Sequence, residues 1–187
     1  MCSSDLARLD APYTRADDRG ILNEALAGNR VTHDGAEIGF TTLGTSALAR
    51  LDSDVFGQTD VHTVIAQVGV NDINFTTDPA DRIIAGLRQL AAQAHEKDLR
   101  ILVCTLGPFE GFVGPPAWDP TKEAIRAAVN DYIRSQHDFD AVVDVDKVLR
   151  DPAAPTKLRA DFDFGDHIHP NDAGAKAIAA AVELNQL

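Results

Sequence analysis

Asp166 and His169 have the residue types and the spacing of a general base and its orienting carboxylate. They lie three residues apart near the end of the chain, and Pro170 follows directly. In such a turn the carboxylate accepts the imidazole Nδ1 proton, which fixes the tautomer and leaves Nε2 free to take a proton from a reacting group. Two alternatives stay open from the residues alone. Asp166 or Asn171 could only cap the following helix, and the two histidines and two aspartates within residues 166–172 could bind a metal ion.

Asn71 and Gly28 are candidates for stabilising negative charge. Asn71 lies in the sequence Gly-Val-Asn-Asp at 69–72, directly after a predicted strand, where a side-chain amide can donate to a developing oxyanion. Gly28 lies in Ala-Gly-Asn-Arg-Val at 27–31, also after a predicted strand, where a glycine lets its backbone N–H approach a ligand closely. Each has a plainer interpretation: a turn that caps the next element for Asn71, and an ordinary turn glycine for Gly28.

The elements that would position these residues alternate between strands and helices. Short runs of β-branched and apolar residues predict strands at 20–23, 61–68, 99–106 and 141–145. Two helices are predicted behind Asp78-Pro79 and Asp119-Pro120, with aspartate as the N-cap and proline as the first helical residue. The second of these runs to about residue 134. Further helices are expected across 48–55 and from 170 to about 184.

This alternation is typical of an α/β fold with a parallel sheet, and we expect the whole chain, 1–187, to form a single domain. Ligands of such sheets bind beyond the carboxyl ends of the strands. The Pro- and Gly-rich segment 107–118 follows a predicted strand, so it is expected either to border a binding cleft or to be a rigid surface connector.

Composition excludes several classes of function. The chain has a net charge of -12, so a general affinity for nucleic acid or for anionic lipid is not expected. No stretch approaches the roughly 18 apolar residues that a membrane-spanning helix needs. Cys104 lies in an apolar run and is expected to be a buried, inert thiol, and a disulfide with Cys2 has no support from the sequence. No signal peptide is visible, and the compartment stays open.

Taken together, the motifs resemble the SGNH superfamily, also called GDSL-type esterases and lipases. The resemblance rests on Gly28, on Gly-x-Asn-Asp at 69–72 and on Asp-x-x-His-Pro at 166–170, in this order along the chain. It extends from about residue 23 to 184. It is strongest with a bacterial branch of acyl hydrolases that includes xylan-esterase-like members, through the strings at 27–31, 46–50, 165–170 and 171–174.

The resemblance implies a three-layer α/β/α, flavodoxin-like fold and a serine ester hydrolase. His169 would be the general base and Asp166 its orienting carboxylate, while the Gly28 N–H and the Asn71 side-chain amide would form an oxyanion hole. The family needs no metal ion or cofactor, and His167 would be a neighbour only. The implied partner is a small-molecule or carbohydrate ester, and no partner of nucleic acid or membrane is implied. The acyl group, the alcohol and the oligomeric state cannot be read from the sequence.

The sequence departs from the family at the nucleophile. A Gly-Asp-Ser block should end the first strand well before Gly28, but residues 1–19 contain neither that block nor an apolar strand. Ser3 and Ser4 have no strand in front of them. The five residues at 2–6 are also the translation of the end of a common sequencing-library adapter. We therefore hypothesise that residues 1 to about 6 are non-native and that the chain is truncated at its N-terminus.

A missing first strand has a structural consequence. In a flavodoxin-like sheet of order 2-1-3-4-5, strand one lies between strands two and three. The segment at Ile21 is therefore expected either to pair directly with the strand at 61–68 or to leave a gap, and exposed strand edges would favour dimerisation.

Two functions follow from the sequence. The first is a serine ester hydrolase whose nucleophile this chain lacks. The second is a non-catalytic α/β domain that binds a carbohydrate or acyl ligand in the same cleft. A flavodoxin-like nucleotide binder is disfavoured, because no predicted strand is followed by a glycine-rich phosphate loop.

Overall fold

A parallel sheet forms the centre of the part of the chain that the computed structural model describes, residues 20–187. Within these residues the sheet has three strands, in the spatial order β1-β2-β3. Both pairs are parallel, with Val64 opposite Ile101 and Val103 opposite Val142. The strands are β1 Thr63–Ala66, β2 Arg100–Cys104 and β3 Ala141–Val143.

Helices connect and cover the strands. We number them α1 Ala47–Leu51, α2 Val70–Thr76, α3 Ala80–His95, α4 Pro120–Ser135, α5 Val145–Leu149 and α6 Asp172–Ala181. A π-helical turn, Asp52–Phe56, extends α1, and short 3₁₀ turns occur at Gly35–Ile38, Thr41–Leu43 and Leu184–Gln186. None of the helices between residues 20 and 187 combines the length and the apolar character that crossing a bilayer requires.

Alternate residues of β2 face opposite layers of the fold. Ile101 and Val103 belong to a buried cluster with residues of α3 and α4, such as Leu87 and Val129. Leu102 and Cys104 belong to a second cluster with residues of α5 and α6, among them Ile178. Because side chains alternate along a strand, the continuous buried run at 101–104 is typical of a sheet covered on both faces. The predicted α/β fold with a parallel sheet flanked by helices is confirmed.

Cys104 behaves as the sequence predicts. Its side chain is buried, and burial raises the pKa of the thiol to about 12. A thiol that stays protonated at neutral pH is a poor nucleophile. The other half of the disulfide considered above, Cys2, lies outside the described residues.

The helix start at Asp119 is confirmed, whereas the one at Asp78 is wrong. Asp119 accepts the backbone N–H groups of Thr121 at 2.7 Å and Lys122 at 3.1 Å, and Pro120 opens α4. At α3 the N-cap position belongs to Pro79, without a side-chain capping bond. The Asp78 carboxylate lies instead 3.0 Å from Nε2 of His33, an ion pair when this imidazole is protonated.

The ends of two further elements differ from the predictions. The strand expected at 141–145 ends at Val143, because Asp144 accepts the backbone N–H of Lys147 at 3.1 Å and thereby begins α5. The last helix, expected from 170 to about 184, spans Asp172–Ala181 and so ends three residues before the predicted end.

The outer edge of β1 has no strand beside it among the described residues. The strand predicted at 20–23 is wrong, since residues 20–26 have no regular structure and Leu22 is 56% exposed. A groove of about 980 Å³ separates this segment from β1, and Leu184 and Leu187 also line it. Of the two outcomes expected for Ile21, the described residues therefore show the gap. A strand is stable only with a neighbour, and two apolar residues between Gly20 and Asn23 provide too little surface to bury.

Candidate active site

The Asp166 carboxylate binds His169 through both of its oxygens. Oδ2 lies 2.5 Å from Nδ1 of the imidazole, and Oδ1 accepts the backbone N–H of His169 at 2.9 Å. Partial burial opposes ionisation of Asp166, but the hydrogen bonds from His169 and Ile168 outweigh it and hold the pKa of this carboxyl below its usual value. The imidazole is 72% exposed, so its Nε2 is accessible. This arrangement can extract a proton from a group that approaches from solvent.

A hairpin-like loop at 162–171, closed by a single antiparallel bridge between Asp163 and Pro170 and called the hairpin below, carries the pair. The backbone N–H of Asn171 donates to the Phe162 carbonyl at 2.8 Å, and that of Phe164 donates to the His169 carbonyl at 3.0 Å. Asn171 also caps α6, accepting the N–H groups of Ala173 and Gly174 at 3.0 Å each. Of the two predicted caps, Asn171 therefore caps α6. Asp166 does not cap the helix, and its carboxylate binds His169 instead.

Asp163 stabilises the same hairpin, and the sequence analysis missed it. Its carboxylate accepts the N–H groups of Gly165 at 2.8 Å and His167 at 3.0 Å, and it lies 2.6 Å from Nδ1 of His167. The His167 ring in turn packs against Gly111 of segment 107–118, where a Cβ atom would lie 3.2 Å from the ring. His167 therefore has a carboxylate partner of its own and connects two loops. The spacing Asp-x-x-x-His was a signal that could have found this pair.

Gly28 and Asn71 are brought together through Asn29. Asn71 follows Gly69 at the start of α2, and its Nδ2 donates to the Asn29 carbonyl at 3.1 Å. Gly28 has a positive φ of 71°, and a Cβ atom there would lie 2.5 Å from Cδ2 of Leu43. The positive φ favours glycine here, and an added Cβ would have to displace the end of the Leu43 side chain. The backbone conformation of Gly28 thus supports its plainer interpretation, an ordinary turn glycine.

Asp72, next to Asn71, is a buried carboxylate that the sequence analysis did not single out. It is fully buried, and both of its oxygens lie 2.9 Å from the backbone N of Val31. Burial raises its pKa to about 6, although the N–H groups of Val31 and Thr32 favour the charged form. Its partners are 40 residues or more away in sequence, so no local signal could have found them.

The candidate residues form two groups that no hydrogen bond connects within residues 20–187. Gly28 and Asn71 make one group and Asp166 and His169 the other. Asn71 follows β1, and the hairpin follows β3, so both lie on connections that leave the carboxyl edge of the sheet. Ile168 of the hairpin and Val70, the residue before Asn71, both pack against the same core cluster.

None of the serines in the described part of the chain donates to His169. Ser46 caps α1 by accepting the Ala49 N–H at 3.3 Å. Ser53 and Ser135 use their hydroxyls to donate to carbonyls of their own helical segments. Ser3 and Ser4 lie outside the described residues. Between residues 20 and 187, no three histidine, cysteine or acidic side chains are grouped as a metal ion would require.

The sequence matches the profile of the GDSL-like Lipase/Acylhydrolase family over residues 5–177. The chain belongs to this family. Its motifs around Gly28, Asn71 and His169 all lie within the matched region. The family consists of lipases and acylhydrolases, and membership implies small-molecule ester substrates.

Solved structures of GDSL-like proteins have the same fold. A GDSL-like lipase from Bacteroides thetaiotaomicron is 15% identical, with a TM-score of 0.64 over 96% of this chain and 80% of that chain. A catalytic mutant of Axe2, an acetylxylan esterase from Geobacillus stearothermophilus, is 22% identical, with a TM-score of 0.63 over 96% of this chain and 77% of that chain. No curated protein sequence matches the chain. At these identities the likeness establishes the fold of a GDSL-like protein.

Proposed function

We propose that the protein is a serine ester hydrolase that cleaves acyl or acetyl esters, with Gly28, Asn71, Asp166 and His169 as its site. The observation that carries this proposal is the pair formed by Asp166 and His169. Its carboxylate holds Nδ1 at 2.5 Å, and the largely exposed ring presents Nε2 to a reacting group. A positioned imidazole of this kind is the general base that an uncharged serine needs.

In the proposed mechanism, Nε2 of His169 takes the proton of a serine hydroxyl as its oxygen attacks the ester carbonyl. The resulting oxyanion accepts the Gly28 N–H and one hydrogen of the Asn71 amide, whose other hydrogen is bonded to the Asn29 carbonyl. His169 then gives the proton to the departing alcohol. Water, deprotonated by the same imidazole, attacks the acyl-serine. The imidazolium then returns the proton to the serine oxygen as the acyl–oxygen bond breaks and the acid leaves. The ionised Asp166 stabilises the imidazolium in both steps.

We propose that the nucleophilic serine of such a site would belong to a strand paired with the edge of β1 that is open among residues 20–187. The groove along this edge has room for an extended segment, with a volume of about 980 Å³. Asn29 and Asn71 line the groove as well. Because Asn71 follows the carboxyl end of β1, a serine at the carboxyl end of a parallel strand would meet the two oxyanion donors.

We further propose a carbohydrate-linked acetyl ester as the substrate class, supported by the fold shared with an acetylxylan esterase and by the strings at 27–31 and 165–170. The second candidate function is non-catalytic binding of a carbohydrate or acyl ligand in the same cleft. One observation favours it, namely that no serine within residues 20–187 is bonded to His169.

The test is hydrolysis of p-nitrophenyl acetate by the purified chain, by its His169→Ala variant and by His137→Ala as a matched control. The sequence has no Gly-Asp-Ser block, so we expect the chain to show no turnover above that of His169→Ala. Turnover that is lost in His169→Ala and retained in His137→Ala would instead show that the chain contains a nucleophile. A fluorophosphonate probe with mass spectrometry would then identify the labelled serine. Equal rates in all three proteins, with no labelled serine, contradict catalysis by this chain. Calorimetric binding of an acetylated xylooligosaccharide by that inactive chain would support the binding function.

A further inference from the structure

Asp72 occupies an unusual place for a carboxylate. It lies in the first turns of α2, fully buried, where an aspartate is rarely found without strong partners. Its oxygens do not cap its own helix. They accept N–H groups of another segment, from Val31 at 2.9 Å and from Thr32 at 3.4 Å.

Asn71, its neighbour, contacts the same segment. Its Nδ2 donates to the Asn29 carbonyl at 3.1 Å. Two consecutive side chains of α2 therefore bind the backbone of residues 29–32, one as a donor and the other as an acceptor. Such opposite bonds define the position of one segment along the other, because a shift in either direction breaks at least one of them.

The segment that these bonds fix begins directly after Gly28. Gly28 itself has a left-handed backbone conformation, with φ at 71°, and packs against Leu43. The side chain of Asn29 is held as well, because its Nδ2 donates to the Thr45 carbonyl at 2.7 Å and its Oδ1 accepts from Nε of Arg50 at 3.1 Å. The position of the Gly28 N–H relative to α2 is thus set through Asn29, Val31 and Thr32.

We infer that Asp72 is a positioning residue that holds the Gly28 backbone and the Asn71 side-chain amide in one fixed arrangement. The claim that Asp72 fixes the positions of these two groups rests on the hydrogen bonds alone. Its consequence for catalysis, that Asp72 aligns the two donors of an oxyanion hole, rests on the proposed function. Hydrogen bonds to a charged acceptor are about twice as strong as neutral ones, which suits a carboxylate to this place.

The test compares Asp72→Asn and Asp72→Ala with the parent chain by NMR. Asp72→Asn keeps one oxygen acceptor, and Asp72→Ala keeps none. We expect the Val31 N–H to exchange with solvent roughly tenfold faster or more in Asp72→Ala, the factor that corresponds to loss of a hydrogen bond to a charged group. The signals of the Gly28 N–H and of the Asn71 side-chain amide should shift at the same time, with smaller effects in Asp72→Asn.

The matched control is Asp119→Ala, which removes a carboxylate that also accepts two backbone N–H groups, at the start of α4. It should leave Gly28 and Asn71 unchanged. Unchanged Gly28 and Asn71 signals in Asp72→Ala would overturn the inference. The inference would also be overturned if Asp72→Ala accelerated hydrogen exchange of the β2 amides, such as that of Val103, as much as that of the Val31 N–H. Asp72 would then only stabilise the whole fold. Because the NMR result does not depend on the hydrolysis assay, failure of this inference can be distinguished from failure of the proposed function.

Discussion

The Asp166 carboxylate bonds to His169 at two points, the ring Nδ1 at 2.5 Å and the backbone N–H at 2.9 Å. The first bond sets which ring nitrogen carries the proton, and the second sets where the residue lies relative to the carboxylate. Orientation of the imidazole is therefore encoded within four consecutive residues.

Replacing Asp166 with Asn should disturb the tautomer of His169. An asparagine can present its amide N–H to the ring, which favours the form with the proton on Nε2. We expect ¹⁵N NMR to show a proton on Nδ1 in neutral His169 of the parent chain and a mixture or reversal in Asp166→Asn. Asp163→Asn is the matched control, because it should change His167 and leave His169 as it is. An unchanged His169 spectrum in Asp166→Asn would contradict the assigned pairing. Where the protein hydrolyses an ester, the loss in kcat should approach about 10⁴-fold, as for other serine hydrolases with a misoriented base.

Asp72 should make the protein less stable as the pH rises from about 4 to about 6. Burial raises its folded-state pKa to about 6 from 3.8, so the folded state binds the proton more tightly than the unfolded state does. The resulting cost of ionisation is absent below pH 3.8 and complete above pH 6, where it reaches about 3 kcal/mol. Urea unfolding of Asp72→Asn at pH 4 to 7 should lack this contribution.

Asp119 provides the comparison for that series. Hydrogen bonding from the Lys122 backbone holds its pKa below 3.8, so its contribution to stability is present at neutral pH and is lost as the pH falls through the folded-state pKa. Asp119→Asn should therefore change the acid side of the profile only. If the unfolding free energy of Asp72→Asn changed between pH 4 and 6 in the same way as that of the parent chain, the burial of Asp72 would have no such effect.

Gly28→Ala should destabilise the protein more than Gly39→Ala does. Both glycines have a positive φ, 71° and 80°, so both substitutions carry backbone strain of about 1 kcal/mol. At Gly39 nothing lies within 4 Å of an added Cβ, whereas at Gly28 it would meet Leu43 at 2.5 Å. The difference in unfolding free energy between the variants, expected at about 1–3 kcal/mol, measures this overlap. Adding Leu43→Ala should remove most of that difference, and equal effects of the two glycine substitutions would argue against the close contact.

The edge of β1 that has no neighbouring strand among residues 20–187 should make the chain self-associate. Unpaired strand edges are templates for pairing with a second strand, and a lysine placed on the edge strand opposes this. We expect sedimentation velocity to show a concentration-dependent dimer that is weakened in Thr63→Lys, since Thr63 lines the groove. Val113→Lys, a change at an exposed site on another loop, should have no effect. A parent chain that stays monomeric at all concentrations would contradict this expectation.

The features that the sequence predicted correctly are those with local causes. Asp119-Pro120 begins α4 because the cap and its N–H partners lie within three residues, and Asp166 and His169 are also three residues apart. Asp78 was misassigned as a cap because its carboxylate faces His33, 45 residues earlier in the chain. Asp72 was missed for the same kind of reason, since its partner Val31 is 41 residues away. A strand at 20–23 would need a neighbouring strand to pair with, and the residues of this segment do not show whether such a strand is present.

The hairpin at 162–171 keeps the candidate base and its carboxylate on one small, self-bonded unit, separate from the turn of Gly28 and from α2, which carries Asn71. A displacement of this hairpin relative to α2 would alter the distance between proton acceptor and oxyanion donors while every bond between Asp166 and His169 stays intact. The distance between the two groups of site residues and the bonding within the Asp166–His169 pair are therefore two different properties. A spectroscopic probe of the imidazole reports only on the bonding within the pair. Because His167 contacts Gly111, a shift of segment 107–118 would be passed to the hairpin and would change the distance between His169 and the oxyanion donors.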